Sequence, residues 1–343
     1  MSRVEHVVRS CRRILSKHLT PGSLAVVVTL SVFLPSVTSC TVPPQSSAAR
    51  TFVSPAPDSA AQTGSRPLRL VYPTPDGKND PTQNFGDLYL PSAPVTGVPL
   101  AVLFHGGSWL SSAGDLRGLA PMARALADHG IAVFNVEYRR IGSGGGWPTT
   151  LTDAQAAVDF AAGLSHDHRS LADGVAVVAG HSAGGQLALW AGTHGRTPPR
   201  AVVSISGPAD LAYAAVHGDR NVRAFLGGLP HQVPERYSLA DPSADPPPTV
   251  PVLLLHGTRD HVVPIEVARH YLEDHPLPAL PHPDLVEIAG GTHTSLVTPG
   301  RRGYSEVLTD VEKLIRQVMS HSPALPTHVT QGALSSRALG STA

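Results

Sequence analysis

Gly180-His181-Ser182-Ala183-Gly184 has the spacing G-x-S-x-G, after the apolar run Gly174 to Ala179 and before a helical pattern that starts at Ala183. A serine at a sharp strand-to-helix turn has its Oγ lifted clear of the backbone, and the flanking glycines let that turn close. Ser182 is the candidate nucleophile. In a chain with 32 glycines the bare pattern also arises as an ordinary turn with a capping serine, so its neighbours must decide. His105-Gly106-Gly107-Ser108-Trp109 follows the run Leu100 to Phe104. Glycines there let backbone N–H groups approach a carbonyl oxygen with no side chain in the way. Gly106 and Gly107, with the N–H of Ala183 at the helix start, are the candidate oxyanion donors.

A serine nucleophile needs a base, and the base needs an orienting acid. Asp260 lies in His256-Gly257-Thr258-Arg259-Asp260, just beyond the apolar run Val250 to Leu255. Asp241, Asp245 and Glu266 are the alternatives, and a helix-capping role for Asp260 is its structural reading. His293 ends Gly290-Gly291-Thr292-His293, just past the run Leu285 to Ile288. The chain carries 18 histidines, so position is what singles it out; His282 and His275 precede that run and fit less well. Together these residues would perform acyl transfer through a covalent serine intermediate, with no cofactor. No H-x-x-x-H pair with a carboxylate stands in a strand-end context, so a metal site is not expected.

The elements that must hold these residues alternate. The runs Pro99–Phe104, Ile131–Val136, Gly174–Ala179, Ala201–Ile205, Val250–Leu255 and Leu285–Ile288 are continuous and rich in β-branched residues, as in strands buried on both faces of a parallel sheet. Leu70-Val71 and Leu88–Leu90 suggest earlier, more exposed strands. Helical patterns run from Leu116 to His129, Thr152 to Leu164 (capped by Thr150 or Thr152), Ala183 to Gly192, Ile265 to His275 and Ser305 to Met319. This alternation implies an α/β fold, a mostly parallel central sheet flanked by helices. Gly207 to Thr249, rich in Pro, Asp and Ala, breaks the rhythm and reads as a small cap over the carboxyl edge of the sheet. Trp109 and Trp147 are expected to line the substrate pocket.

The ends differ from the body. Arg3, Arg9, Arg12, Arg13 and Lys17 precede a short apolar run, Ser23 to Leu34. That is the pattern of a secretory signal, and it is shorter than the roughly 20 residues a spanning helix needs. Val37-Thr38-Ser39-Cys40 resembles a bacterial lipobox, with Cys40 the residue lipidated after cleavage; Arg12-Arg13 weakly resembles a twin-arginine signal. The expected organisation is a signal peptide over 1–39, a flexible tether over 40–66, the α/β domain over 67–320 with its cap over about 207–249, and a loose tail over 321–343. The implied location is the cell surface, through a lipid anchor, or secretion. Cys11 and Cys40 are the two cysteines, so the body can hold no disulfide framework. A formal net charge of zero over 343 residues, with no basic stripe, argues against nucleic acid as a partner. The oligomeric state is left open.

These motifs resemble the α/β-hydrolase superfamily over roughly residues 67 to 320. Within it the chain resembles the esterase/lipase and arylformamidase-like group, through His105 to Trp109 as H-G-G-x-W, Tyr138-Arg139 ahead of a helix bearing Asp153, and Gly180 to Gly185 as G-x-S-A-G-G. His256 to Pro264 and Gly290 to His293 also resemble the C-terminal part of prolyl-oligopeptidase catalytic domains. The resemblance implies cofactor-free hydrolysis of a small-molecule carboxylic ester. Amide hydrolysis, as in arylformamidases or small peptidases, would use the same residues, and a surface binding protein without turnover is a further alternative. The cap segment is poor in long apolar residues, with Leu211, Val222, Phe225 and Leu226 as exceptions. That predicts a preference for short acyl chains, falling beyond roughly eight carbons.

Overall fold

The computed structural model describes residues 66–246, 248–274 and 285–320. The expected signal segment, Cys40, the tether to residue 65, His275, His282 and the tail from residue 321 lie outside the described residues.

Among the described residues, one eight-stranded sheet forms the centre, in the order β1-β2-β4-β3-β5-β6-β7-β8. The strands are β1 (Leu68–Val71), β2 (Phe85–Tyr89), β3 (Leu100–Phe104), β4 (Ala132–Val136), β5 (Val177–His181), β6 (Ala201–Ile205), β7 (Val252–Gly257) and β8 (Leu285–Ile288). Strand β2 pairs antiparallel with both β1 and β4, and every other pairing is parallel. The strands β3 to β7 are buried along their whole length, which is why they read as unbroken apolar runs rather than alternating ones. From β3 the chain crosses to β4 on one side and then to β5 on the other. The carboxyl ends of β3 and β5, neighbours in the register Phe104↔Gly180, therefore flank the crevice where ligands bind in open parallel sheets.

Eight α-helices of the described residues cover the sheet: α1 (Ala120–Asp128), α2 (Thr149–Ala162), α3 (Ala183–His194), α4 (Leu211–Val216), α5 (Arg220–Leu226), α6 (Pro234–Ala240), α7 (Glu266–Asp274) and α8 (Tyr304–Ser320). One apolar cluster joins α2, α3 and the alternate strand residues Val102, Phe104 and Val178. The other joins α1, α8 and Ala101, Leu103 and Val177. On α8 the residues Val307, Val311, Leu314 and Ile315 are buried, a stripe at helical spacing. Each such side chain contributes roughly 1.5–3 kcal/mol on burial.

Two helix starts differ from the sequence expectation. The Leu116–His129 pattern divides into a 3-10 turn, Leu116–Gly118, and α1, because Pro121 near the start of α1 favours a fresh helical beginning. Helix α2 begins at Thr149, after Pro148, with no side-chain cap. The Thr150 hydroxyl instead donates to the Arg139 carbonyl and accepts from Gly146 N–H. The segment from Gly207 has no strand, as its composition implies, but folds as α4, α5 and α6. No helix of the described residues is long and apolar enough to cross a membrane.

Candidate active site

Ser182 stands between β5 and α3 with φ 55° and ψ −125°. A left-handed backbone at a non-glycine residue is uncommon and costs of order 1–3 kcal/mol, so it persists only where the surroundings enforce it. Here the enforcement is steric. A Cβ at Gly180 would overlap the Gly184 carbonyl, and one at Gly184 would overlap the carbonyls of Phe104 and His105. The two motif glycines are thus the spaces into which the elbow folds. Ser182 N–H donates to the Ile205 carbonyl at 2.9 Å, which ties the turn to β6.

His293 and Asp260 arrive on the loops after β8 and β7. These loops are fastened together: Thr258 N–H donates to Ile288 O at 3.0 Å and Arg259 N–H to Gly291 O at 2.9 Å. As a result His293 Nε2 lies 2.9 Å from Ser182 Oγ, and His293 Nδ1 lies 2.8 Å from Asp260 Oδ2. All three residues are buried. Asp260 Oδ1 accepts the N–H groups of Val262 (2.9 Å) and Val263 (3.0 Å). Burial alone would raise the Asp260 carboxyl, but the His293 hydrogen bond and charge and the two backbone donors outweigh it and hold the group below its usual value. An ionised carboxylate on Nδ1 keeps the proton there, so Nε2 offers its lone pair to the serine hydroxyl.

The alternative acids do other work. Asp241 accepts the N–H groups of Leu211 and Ala212; burial and then the nearby Asp210 push its carboxyl up to about 6. Asp245 lies beside His194, and Glu266 beside Arg269.

The loop after β3 closes over the serine. A Cβ at Gly106 would sit 3.0 Å from Ser182 Cβ, and Gly107 has φ +121°, so a side chain would crowd Ser182 at the first position and strain the backbone at the second. Ala183 is the first residue of α3, whose leading N–H groups have no partner within the helix. Gly106, Gly107 and Ala183 thus adjoin Ser182 on two sides. The loop is strapped from below: Tyr138 OH donates to His105 O at 2.7 Å, its ring stacks on His105, and Glu137 Oε1 lies 3.1 Å from His105 Nε2. Arg139 and Asp153 form a buried bidentate pair at 2.6 and 2.9 Å, which anchors this strand end to α2.

A pocket of about 570 Å³ opens beside Ser182. Its walls are Gly106–Ser108, Ala113–Asp115 and Arg117–Leu119 on one side and Val262, Thr294, Val297 and Thr298 on the other. Trp109 and Trp147 are not among them, which corrects the sequence expectation. Trp109 is 2% exposed; its indole N–H donates to Gln186 Oε1 at 3.1 Å and its ring stacks on Phe225. Trp147 is half-buried against the apolar cluster on the α2 side. The cap segment does not line the pocket either: Leu211, Val222, Phe225 and Leu226 are buried in the core. Gln186 and Trp190 donate to the carbonyls of Ala240 and Leu239, drawing the segment onto α3 instead. Sequence reasoning missed Val262, Val297 and His181. The first two carry no motif signal, and His181 occupies the variable position of the elbow, where the motif specifies no residue. Among the described residues no group of three or more His, Cys, Asp or Glu side chains is arranged to hold a metal ion.

An elbow serine at the switch point of a mostly parallel sheet, with an acid and a histidine from the loops after the next strands, defines the α/β-hydrolase fold. Residues 86–274, more than half of the chain, match the BD-FAE family model, and the chain belongs to that family. It is 29% identical over 219 residues to Esterase LipC of Mycobacterium tuberculosis, covering 57% of this chain, and 27% identical over 196 residues to the uncharacterized protein YfhR of Salmonella typhi, covering 51%. The chain spans 52% and 60% of the lengths of these two relatives. Among solved structures, a truncated carbohydrate esterase from gut microbiota aligns with a TM-score of 0.60 at 17% identity, over 75% of this chain and 98% of that one. The propionate-bound esterase Est2 of Thermogutta terrifontis aligns with a TM-score of 0.57 at 20% identity, over 75% and 96%. At such identities these two likenesses speak to the fold.

Proposed function

We propose that the chain is a serine hydrolase of carboxylic esters. One observation carries the reading: the Ser182–His293–Asp260 line at 2.9 and 2.8 Å, with the serine in a strained elbow under the glycine loop. In the proposed reaction, Ser182 Oγ bonds to the ester carbonyl carbon as its proton passes to His293 Nε2. The carbonyl oxygen takes the negative charge and meets the N–H groups of Gly106, Gly107 and Ala183. The C–O bond to the alcohol then breaks, and the alcohol leaves with the proton from His293. Water, deprotonated by the same imidazole, releases the acid from the acyl-serine. The name of the Mycobacterium tuberculosis relative supports ester hydrolysis. So do solved forms of the Thermogutta terrifontis esterase, described as butyrate-bound and as phosphonylated by sarin.

The acyl group we assign is short. The aliphatic walls of the pocket come down to Ala113, Leu119, Val262 and Val297, set among glycines and polar side chains such as Asp115, Arg117, Thr294 and Thr298, and the cap segment adds no tunnel. With about 0.8 kcal/mol at stake per buried CH₂, chains beyond roughly eight carbons find too little wall to gain from. Turnover of p-nitrophenyl esters from acetate to palmitate tests this, alongside fluorophosphonate labelling and Ser182→Ala. The expected result is a maximum at short chains, label on Ser182, and a loss of about 10⁶ in kcat for Ser182→Ala. A maximum at palmitate overturns the acyl assignment; substantial turnover by Ser182→Ala overturns the hydrolase reading. The N-terminal pattern supports export with a lipid on Cys40, and an unmodified Cys40 in the intact mass of the cell-derived protein would reject it.

A further inference from the structure

The variable position of the elbow, His181, is buried and lies between the His293 loop and the glycine loop. Its Nε2 is 2.8 Å from the carbonyl oxygen of His293, so it carries a proton and donates to the backbone of the base itself. Its ring meets the His293 ring at 4.8 Å, tilted by 46°. Its Nδ1 is the atom that a Cβ on Gly106 would approach to 3.1 Å. One residue is therefore joined to Ser182 through the peptide bond, while its side chain packs against the glycine loop at Gly106 and donates a hydrogen bond to the His293 backbone. From this geometry we infer that His181 is a positioning residue: it locks the His293 backbone so that the imidazole spans Ser182 and Asp260.

Position explains why a histidine suits this place. The His293 loop follows the edge strand β8 and is tied by backbone hydrogen bonds to the loop after β7, and a side chain reaching across from β5 adds a direct hold on the centre of the sheet. A rigid ring with one donor at its far end spans from β5 to that loop without a flexible stem. The titratable groups facing His181 are His293, Asp260 and His256. Burial, and then the His293 charge, lower its own value to about 4, so it stays neutral while His293 gains and loses a proton. A neutral ring can hold the base without competing for that proton.

The inference rests on the ester-hydrolase reading, and the test separates the two. Rates are measured per fluorophosphonate-titrated site for wild type, His181→Phe, His181→Gln and His181→Asn on a short p-nitrophenyl ester. Gln keeps a donor at the right reach, Asn is too short, and Phe keeps the ring without the donor. A displacement of about 1 Å at a reacting group can cost about 10²-fold, so Phe and Asn are expected to lose 10- to 100-fold in kcat with KM within about threefold. Gln is expected to recover most of that loss. Equal losses in Gln and Asn, a change in KM alone, or four equal rates overturn the inference even if Phe does not fold. A wild type that turns over no ester overturns the hydrolase reading instead.

Discussion

Replacing Asp260 by Asn probes the site most sharply, because it removes a charge while leaving size and burial almost untouched. Asp260 Oδ1 faces two backbone donors, Val262 N–H and Val263 N–H. An amide NH₂ group cannot sit against both, so the Asn oxygen must stay there and the NH₂ must turn toward His293 Nδ1. The Nδ1 nitrogen, 2.8 Å away, then has to accept, and the ring proton moves to Nε2. That nitrogen, 2.9 Å from Ser182 Oγ, now presents a proton where the serine needs a lone pair. The wrong tautomer in a triad of this kind costs about 10⁴ in kcat, and we expect 10³ to 10⁴ here, or about 4–5.5 kcal/mol of transition-state stabilisation. The charge alone gives a consistent figure: about 4 kcal/mol for an ion pair with centres roughly 4 Å apart at an effective dielectric constant near 20. The assay is kcat and KM on p-nitrophenyl butyrate, with a melting curve for each variant. A rate within tenfold of wild type, in a protein that melts normally, refutes the reasoning and places the orienting acid elsewhere.

Three further outcomes are expected. Gly184→Ala puts a methyl group into the carbonyls of Phe104 and His105; since backbone cannot swing aside, the variant should lose at least about 1–3 kcal/mol in urea unfolding, and an unchanged midpoint would contradict the packing of the elbow. Asp153→Ala leaves Arg139 buried without its bidentate partner and should cost about 3–5 kcal/mol, read from the same unfolding curves. For Asp241 the folded carboxyl, at about 6, lies above its unfolded value, near 3.9. Folding therefore favours its protonated form, and the stability it contributes at low pH is lost as pH rises from about 4 to about 6. Stability curves of wild type and Asp241→Asn should differ by that falling limb, and parallel curves would count against it.

The elbow at Ser182 was legible because local and global demands coincide there: Gly180 and Gly184 are required by the turn itself, and the strand before it is apolar on both faces. Asp260 and His293 were legible through chain order, since in an open parallel sheet the ends of successive strands gather at one edge. The pocket was not. Trp109 follows directly on the glycine loop after β3, yet at φ 58° its side chain turns into the core toward Gln186 and Phe225. The segment after Gly207 looked like a cover because it lacks strands, while its few large apolar residues were the sign that it packs against α3. Such orientations depend on partners 77 and 54 residues away along the chain, and periodicity carries no information at that range.

The two oxygens of Asp260 have a consequence for how this scaffold can change. One faces the base, and the other holds the backbone of Val262, whose side chain, 58% exposed, forms a wall of the pocket. Selectivity and rate thus share a single hinge. Exchanging the side chain at position 262 reshapes what enters and leaves the carboxylate where it is. Lengthening or shortening the Asp260–Val263 turn to admit a different guest would rotate the carboxylate away from the imidazole at the same stroke. Divergence of specificity along this edge is therefore channelled into substitutions rather than insertions, and the room for longer loops lies elsewhere on the rim.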